Sequence, residues 1–176
     1  MLAIIGGSGL TQLANLAVER REVVRTPYGE PSGPLIFGRL CDQPAVFIAR
    51  HGYGHTIPPH EVNYRANLWA LKQAHASSIV SIASVGGIRA DLGPGTLVIP
   101  HQIIDYTWGR ASTFFEGPGA KVTHIDFTEP YSAALRARMG VKDAHTHTHT
   151  HTHTHTHTAH GQRAMSTCKR RPAQRG

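Results

Sequence analysis

The apolar positions fall into short blocks separated by glycine- and proline-rich punctuation. Leu2–Ile5 is an apolar run that stops at Gly6-Gly7-Ser8-Gly9, the pattern of a buried strand feeding a glycine turn. Thr26–Pro34 reads as a loop from its Pro and Gly content. The stretches "LIFGRL" and "AVFIAR" flank Cys41–Pro44 and predict a β-hairpin. "HGYGHTIPPHE" follows as a polar loop in which Pro58-Pro59 block a helix on the upstream side. "VNYRANLWALKQAHA" predicts the strongest helix, with Val62, Ala66, Trp69, Ala70 and Gln73/Ala74 in 3.6-residue phase. "SSIVSIAS" then predicts a buried strand running into Gly86-Gly87, and "GTLVIPHQIID" a further strand after Gly93-Pro94-Gly95. "PYSAALRARMG" predicts a second helix with Pro130 at its head and Gly140 near its end. Alternating strands and helices imply an α/β domain with a mainly parallel sheet flanked by helices.

A chain of 176 residues and 19.1 kDa accommodates one domain with a sizeable core. Its net charge of +7 would suggest nucleic acid or membrane as partner. Position argues otherwise. Residues 1–144 hold 13 Lys/Arg and 11 Asp/Glu, a balance of +2. Arg163, Lys169, Arg170, Arg171 and Arg175, the other basic residues, all sit near the C-terminus, where no acid accompanies them. The expectation is a near-neutral body with no specific nucleic-acid and no membrane partner. Cys41 and Cys168 are far apart and lack metal-type spacing, which predicts a reducing compartment without a disulfide framework. "MLAIIGGSGL" is too short for a signal peptide and lacks a basic start, and no apolar run is long enough to span a bilayer. A cytoplasmic protein is expected.

Three predicted strand ends carry groups suited to an anion. The "IIGGSGL" turn offers backbone N–H groups and the Ser8 hydroxyl. It has neither dinucleotide-type glycine spacing nor a P-loop lysine, and a turn that simply needs glycine explains it equally well. "ARHGYGH" sets Arg50 beside His51, able to clamp an oxyanion by charge-assisted bonds or to lie as a surface pair. "IASVGG" puts Ala83 and Ser84 at a third end, where small residues let a ligand approach the backbone. Three such ends in one domain say more than any one alone. His55 and His60 could border a sugar, or cap and face solvent. His75 and His101 read as structural or exposed, Trp69 and Phe114-Phe115 as core or interface, and Cys41 lacks activating neighbours.

Taken in order, "AIIGGSGL", "ARHGYGHTIPPHEVNYRANLWALKQ", "ASVGGIRADLGPG", "PHQIIDYTWGR" and "THIDFTEPY" resemble the methylthioadenosine/purine nucleoside phosphorylase family, nearest to its S-methyl-5′-thioinosine branch. The resemblance covers residues 1 to about 140 and implies a nucleoside phosphorylase-like fold. It also implies phosphorolysis: orthophosphate attacks C1′ of a purine nucleoside, giving free base and a ribose 1-phosphate. By match to the family's phosphate site, Ser8, Arg50, His51, Ala83 and Ser84 would hold the anion. His124, in "THIDF", would reach the 5′ side of a substrate bound to the neighbouring subunit, so a homotrimer is implied. No cofactor and no metal is implied, orthophosphate being co-substrate. Methylthioinosine is favoured, with methylthioadenosine or a general purine nucleoside as alternatives.

The family's purine-holding blocks find no match after Gly140. Residues 1–143 are therefore expected to be the N-terminal part of a phosphorylase domain that is C-terminally truncated, followed by a low-complexity repeat (144–160) and a basic disordered tail (161–176). The repeat contains seven His-Thr pairs from His145 to Thr158. Alternating CAC and ACA codons arise from a CA dinucleotide repeat, so the tract fits a frameshift scar, which would leave the chain inactive. Alternate histidines also suit zinc, nickel or copper, the alternative of a non-catalytic metal-binding protein. A polar linker satisfies either origin.

Overall fold

The computed structural model describes residues 1–139. The His-Thr tract, the basic tail and Cys168 lie outside the described residues.

Five strands form one mixed sheet: β1 (Leu2–Gly6), β2 (Leu16–Glu22), β3 (Leu35–Leu40), β4 (Gln43–Ala49) and β5 (Ser78–Ser81), in the order β2-β3-β4-β1-β5. β1 is parallel to both β4 and β5, while β2, β3 and β4 are joined antiparallel. The hairpin lies where the sequence predicts it. Its turn is the two residues Cys41 and Asp42, both at positive φ (49° and 61°), the backbone that matches the twist of a tight hairpin.

Alternation along the strands buries both faces of the sheet. Ala3, Ile5, Leu35, Phe37, Val46 and Ile48 face one way, against Ala70 and Leu71 of helix α1 (Tyr64–Gln73). Ile4, Ile36, Ala45, Phe47 and Ala49 face the other way, covered by Leu13 and Leu16. Phe47, Leu35, Ile48 and Leu71 are completely enclosed, each such side chain stabilising the fold by about 1.5–3 kcal/mol.

Helix α1 starts at Asn63, whose side chain accepts from the Ala66 N–H at 3.0 Å. Its buried face is Ala66, Asn67, Ala70 and Leu71, so Trp69 is rotated to a half-buried position. The helix ends by a Schellman closure. Ala76 N–H donates to Leu71 and His75 N–H to Lys72, with His75 at φ 57° in the place glycine usually fills. A short second helix, α2 (Ala133–Arg138), begins at Ser132, whose hydroxyl accepts from Leu135.

Two expectations change. β5 is half-exposed rather than buried, because it is the sheet edge among the described residues. Residues 96–105, read as a strand, form no strand, and Leu97 and Ile104 are exposed. β2 went unpredicted: only Leu16 is buried, and its charged remainder carries no apolar alternation.

Candidate anion site at the strand ends

The register brings three carboxyl ends to one sheet edge. Gly6 pairs with Ala49, and Ile5 with Ser81, so β1, β4 and β5 finish nearly level. The ladder runs slightly further: Arg50 N–H donates to Gly6 at 2.8 Å and Ile82 N–H to Ile5 at 2.9 Å. Gly7-Ser8, Arg50-His51 and Ala83-Ser84 follow at once. Ligands of open α/β sheets bind at such carboxyl ends.

The loops are tied to one another. Ser84 Oγ donates to the Ser8 carbonyl at 3.2 Å. Arg50 extends across the end of β1, and its Nη1 donates to Ser81 Oγ at 3.4 Å. Gly7 permits that path. A Cβ there would strike Arg50 Nη2 and lie 2.6 Å from the Ile82 carbonyl oxygen and 3.2 Å from Ala83 Cα. Ser8, Ala83 and Ser84 are exposed, Arg50 is half-buried and His51 is buried.

His51 is held by its own loop. Ile57 N–H donates to the His51 carbonyl at 3.1 Å, and His51 Nδ1 bonds the Ile57 carbonyl at 2.9 Å. The His55 ring lies 5.2 Å from the His51 ring, with His55 at φ 53°. Burial pushes the His51 imidazole below its ordinary range, the Ile57 carbonyl opposes this, and Arg50 and His55 add to the lowering.

Arg50 is the electrostatic centre. Desolvation lowers its pKa, and Tyr64 is the single neighbour opposing this. Among the described residues, every ion pair lies elsewhere, at Arg20–Glu22, His60–Glu61, Arg65–Glu116 and Arg89–Asp91. A half-buried guanidinium with no carboxylate beside it favours an anion from outside.

The structure thus gathers Ser8, Arg50, His51, Ala83 and Ser84. His124 is exposed and makes no hydrogen bond with them. His60 is exposed beside Glu61, His101 is exposed, and Phe114 packs edge-on against Tyr28 at 5.0 Å. Gly7, Ser81 and the Ile57 carbonyl were missed. Gly7 and Ser81 stood beside recognised motifs, whereas a backbone carbonyl leaves no mark in a sequence. Among the described residues, no three His, Cys, Asp or Glu side chains cluster as metal ligands. No described helix is long and apolar enough to cross a membrane.

Known proteins resemble the chain as a whole. The family model "Phosphorylase superfamily" matches residues 1–167. The chain belongs to the phosphorylase superfamily. It is 52% identical over 137 residues to a probable S-methyl-5′-thioinosine phosphorylase of Pseudomonas syringae pv. tomato, covering 78% of this chain and 56% of that protein. It is 44% identical over 135 residues to the S-methyl-5′-thioadenosine phosphorylase of Hyperthermus butylicus, covering 77% of this chain and 48% of that one. Among solved structures, methylthioadenosine phosphorylase from Schistosoma mansoni in complex with adenine superposes with a TM-score of 0.71 at 39% identity. That match covers 78% of this chain and 50% of that structure. The chain spans about half the length of the curated relatives it matches.

Proposed function

We propose that this chain carries the phosphate half of a purine nucleoside phosphorylase site, acting on a 5′-methylthionucleoside, methylthioinosine before methylthioadenosine. One observation carries the reading: the half-buried Arg50, without a carboxylate partner among the described residues, sits where three strand ends converge. In this reading Arg50 and His51 clamp orthophosphate, Ser8 and Ser84 contribute hydroxyl or backbone contacts, and Ala83 lets the anion approach the backbone. The bond from C1′ to the base weakens first, and the bound anion stabilises the oxocarbenium-like sugar before closing on it. The products are free purine and 5-methylthioribose 1-phosphate, a salvage reaction needing no cofactor. His124 would reach the 5′ side of a substrate in a neighbouring subunit of a homotrimer. Its exposure fits a residue that works outside its own subunit's anion site. The expected compartment is the cytoplasm.

The preference for methylthioinosine draws on the Pseudomonas relative. The groups that would hold the purine are not among the residues assigned here, so the 176-residue chain by itself is expected to bind phosphate without turning over nucleoside. The test joins residues 1–139 to the C-terminal half of the Pseudomonas relative and measures base release from methylthioinosine, methylthioadenosine and inosine. Release should require orthophosphate and be abolished by Arg50→Ala. Cleavage undiminished without phosphate would overturn the reading in favour of a hydrolase.

A further inference from the structure

The two ring nitrogens of His51 face partners of fixed polarity. The Ile57 carbonyl can only accept, so Nδ1, 2.9 Å away, carries the hydrogen. Arg50 Nε can only donate and lies 3.4 Å from Nε2, so Nε2 presents its lone pair. A hydrogen on both nitrogens would set imidazolium against guanidinium edge to edge. The contacts therefore fix one form: neutral, protonated on Nδ1, with an acceptor nitrogen beside the guanidinium.

We infer that His51 receives a hydrogen bond from the anion, so that the site selects an oxyanion carrying its own proton. The inference rests on the phosphate reading and deepens it. Hydrogen phosphate and sulfate are both tetrahedral dianions above neutral pH, and only the first has an O–H to offer. Arg50 supplies the charge that both would share. At Nε2, hydrogen phosphate turns its P–OH toward a lone pair, whereas sulfate must face lone pair with lone pair. The bond from Arg50 Nε to Nε2 is long and readily exchanged for the anion's hydroxyl. Burial disfavours a positive charge on His51, the Ile57 carbonyl favours one, and Arg50 and His55 oppose it; Tyr64 acts on Arg50 from α1, and Ser81 on β5 does not titrate. Among the described residues no carboxylate contributes to either group.

The experiment is calorimetric titration of the 176-residue protein with sodium phosphate and sodium sulfate at about pH 8, above the ordinary histidine value. Phosphate should bind about tenfold or more tightly than sulfate, the scale of one hydrogen bond to a charged group. Nitrogen NMR of the free protein at about pH 8 should show His51 Nε2 without hydrogen. Equal affinities, or a hydrogen on Nε2, would each overturn the inference while leaving an anion site in place. Binding of neither anion would overturn the phosphate reading as well. In His51→Gln, whose amide both donates and accepts, phosphate should still bind and the preference should be lost; a preference kept there would assign it to another group.

Discussion

Arg50 Nη1 reaches Ser81 Oγ at 3.4 Å although their strands are not neighbours; β1 lies between them. The guanidinium spans the end of the central strand, and the missing side chain of Gly7 leaves its path open. Gly7→Ala should be disproportionately harmful for one methyl group. The arginine tip could swing aside, but the Ile82 carbonyl, 2.6 Å from the new Cβ, belongs to the backbone and cannot. A loss of about 1–3 kcal/mol in denaturant unfolding is expected, as for other overpacked sites. Phosphate affinity should fall about tenfold or more, because one charge-assisted contact is displaced. Unchanged affinity in a folded Gly7→Ala protein would show that Arg50 need not cross β1 to bind anion.

Asn67 joins the helix to the loop that precedes β3. It is buried, accepts from the Ser32 N–H at 2.8 Å and donates to Ser32 Oγ at 2.9 Å. One turn earlier Asn63 caps α1 and donates to the Tyr28 carbonyl at 2.7 Å, so two asparagines on one helix face fasten the loop. Asn67→Leu removes both Ser32 bonds and leaves a buried N–H unpaired. It should cost about 2–4 kcal/mol in unfolding free energy, one lost bond plus one unsatisfied group. Asn67→Asp, which keeps an acceptor for Ser32 N–H, should cost less unless the buried charge dominates. Measurement between about pH 3 and 7 separates these effects, because protonation of the aspartate removes the charge.

The β3–β4 hairpin, helix α1 and the placing of Ser8, Arg50, His51, Ala83 and Ser84 at strand ends were legible in the sequence, because each leaves a local signature. Alternating apolar residues flank a turn, apolar residues recur in helical phase from Val62, and small or charged residues follow apolar runs. The Asn63 cap went unread. β2 was illegible because its pairing with β3 stabilises it, whereas its own residues beyond Leu16 are exposed and largely charged. Arg20 even lays its guanidinium over the Phe37 ring at 3.7 Å, so a charged residue packs where an apolar one is expected. The opposite error occurred at 96–105. Apolar content there fits a strand, but strand formation needs a neighbour to complete the ladder, and β5 has none on its outer side among the described residues. Trp69 erred more finely: it shares the apolar period, yet Asn67 turns inward to meet Ser32 and rotates the buried face away.

His75 occupies the left-handed position that closes α1. A side chain there carries a backbone penalty of about 1–2 kcal/mol, partly offset by the greater freedom of glycine in the unfolded chain. His75→Gly should therefore stabilise the protein, by up to about 1 kcal/mol, without altering anion binding. A rise in the thermal midpoint with unchanged phosphate affinity is expected. A fall would mean that the imidazole makes a contact worth more than the strain.

Tyr53 sets an upper pH limit on stability. Its hydroxyl donates to the Pro34 carbonyl at 2.7 Å, and its ring packs near Phe47 with centroids 6.4 Å apart. Burial pushes its pKa from 10.0 up to about 12, with the Ala49 backbone and Arg21 opposing. In that interval the folded protein keeps the phenolic proton while the unfolded chain has released it. The unfolded state then binds fewer protons, so stability falls as pH rises from about 10 toward 12 and is unaffected by this group at neutral pH. Tyr53→Phe should lose about 1 kcal/mol at neutral pH with the Pro34 bond, but should unfold with a shallower pH dependence in the alkaline range. Denaturant midpoints for both proteins at about pH 8, 10 and 11 would test this, other tyrosines and lysines being common to both. Parallel alkaline slopes would show that Tyr53 ionises equally in the folded and unfolded states, and that its burial has no bearing on the alkaline limit.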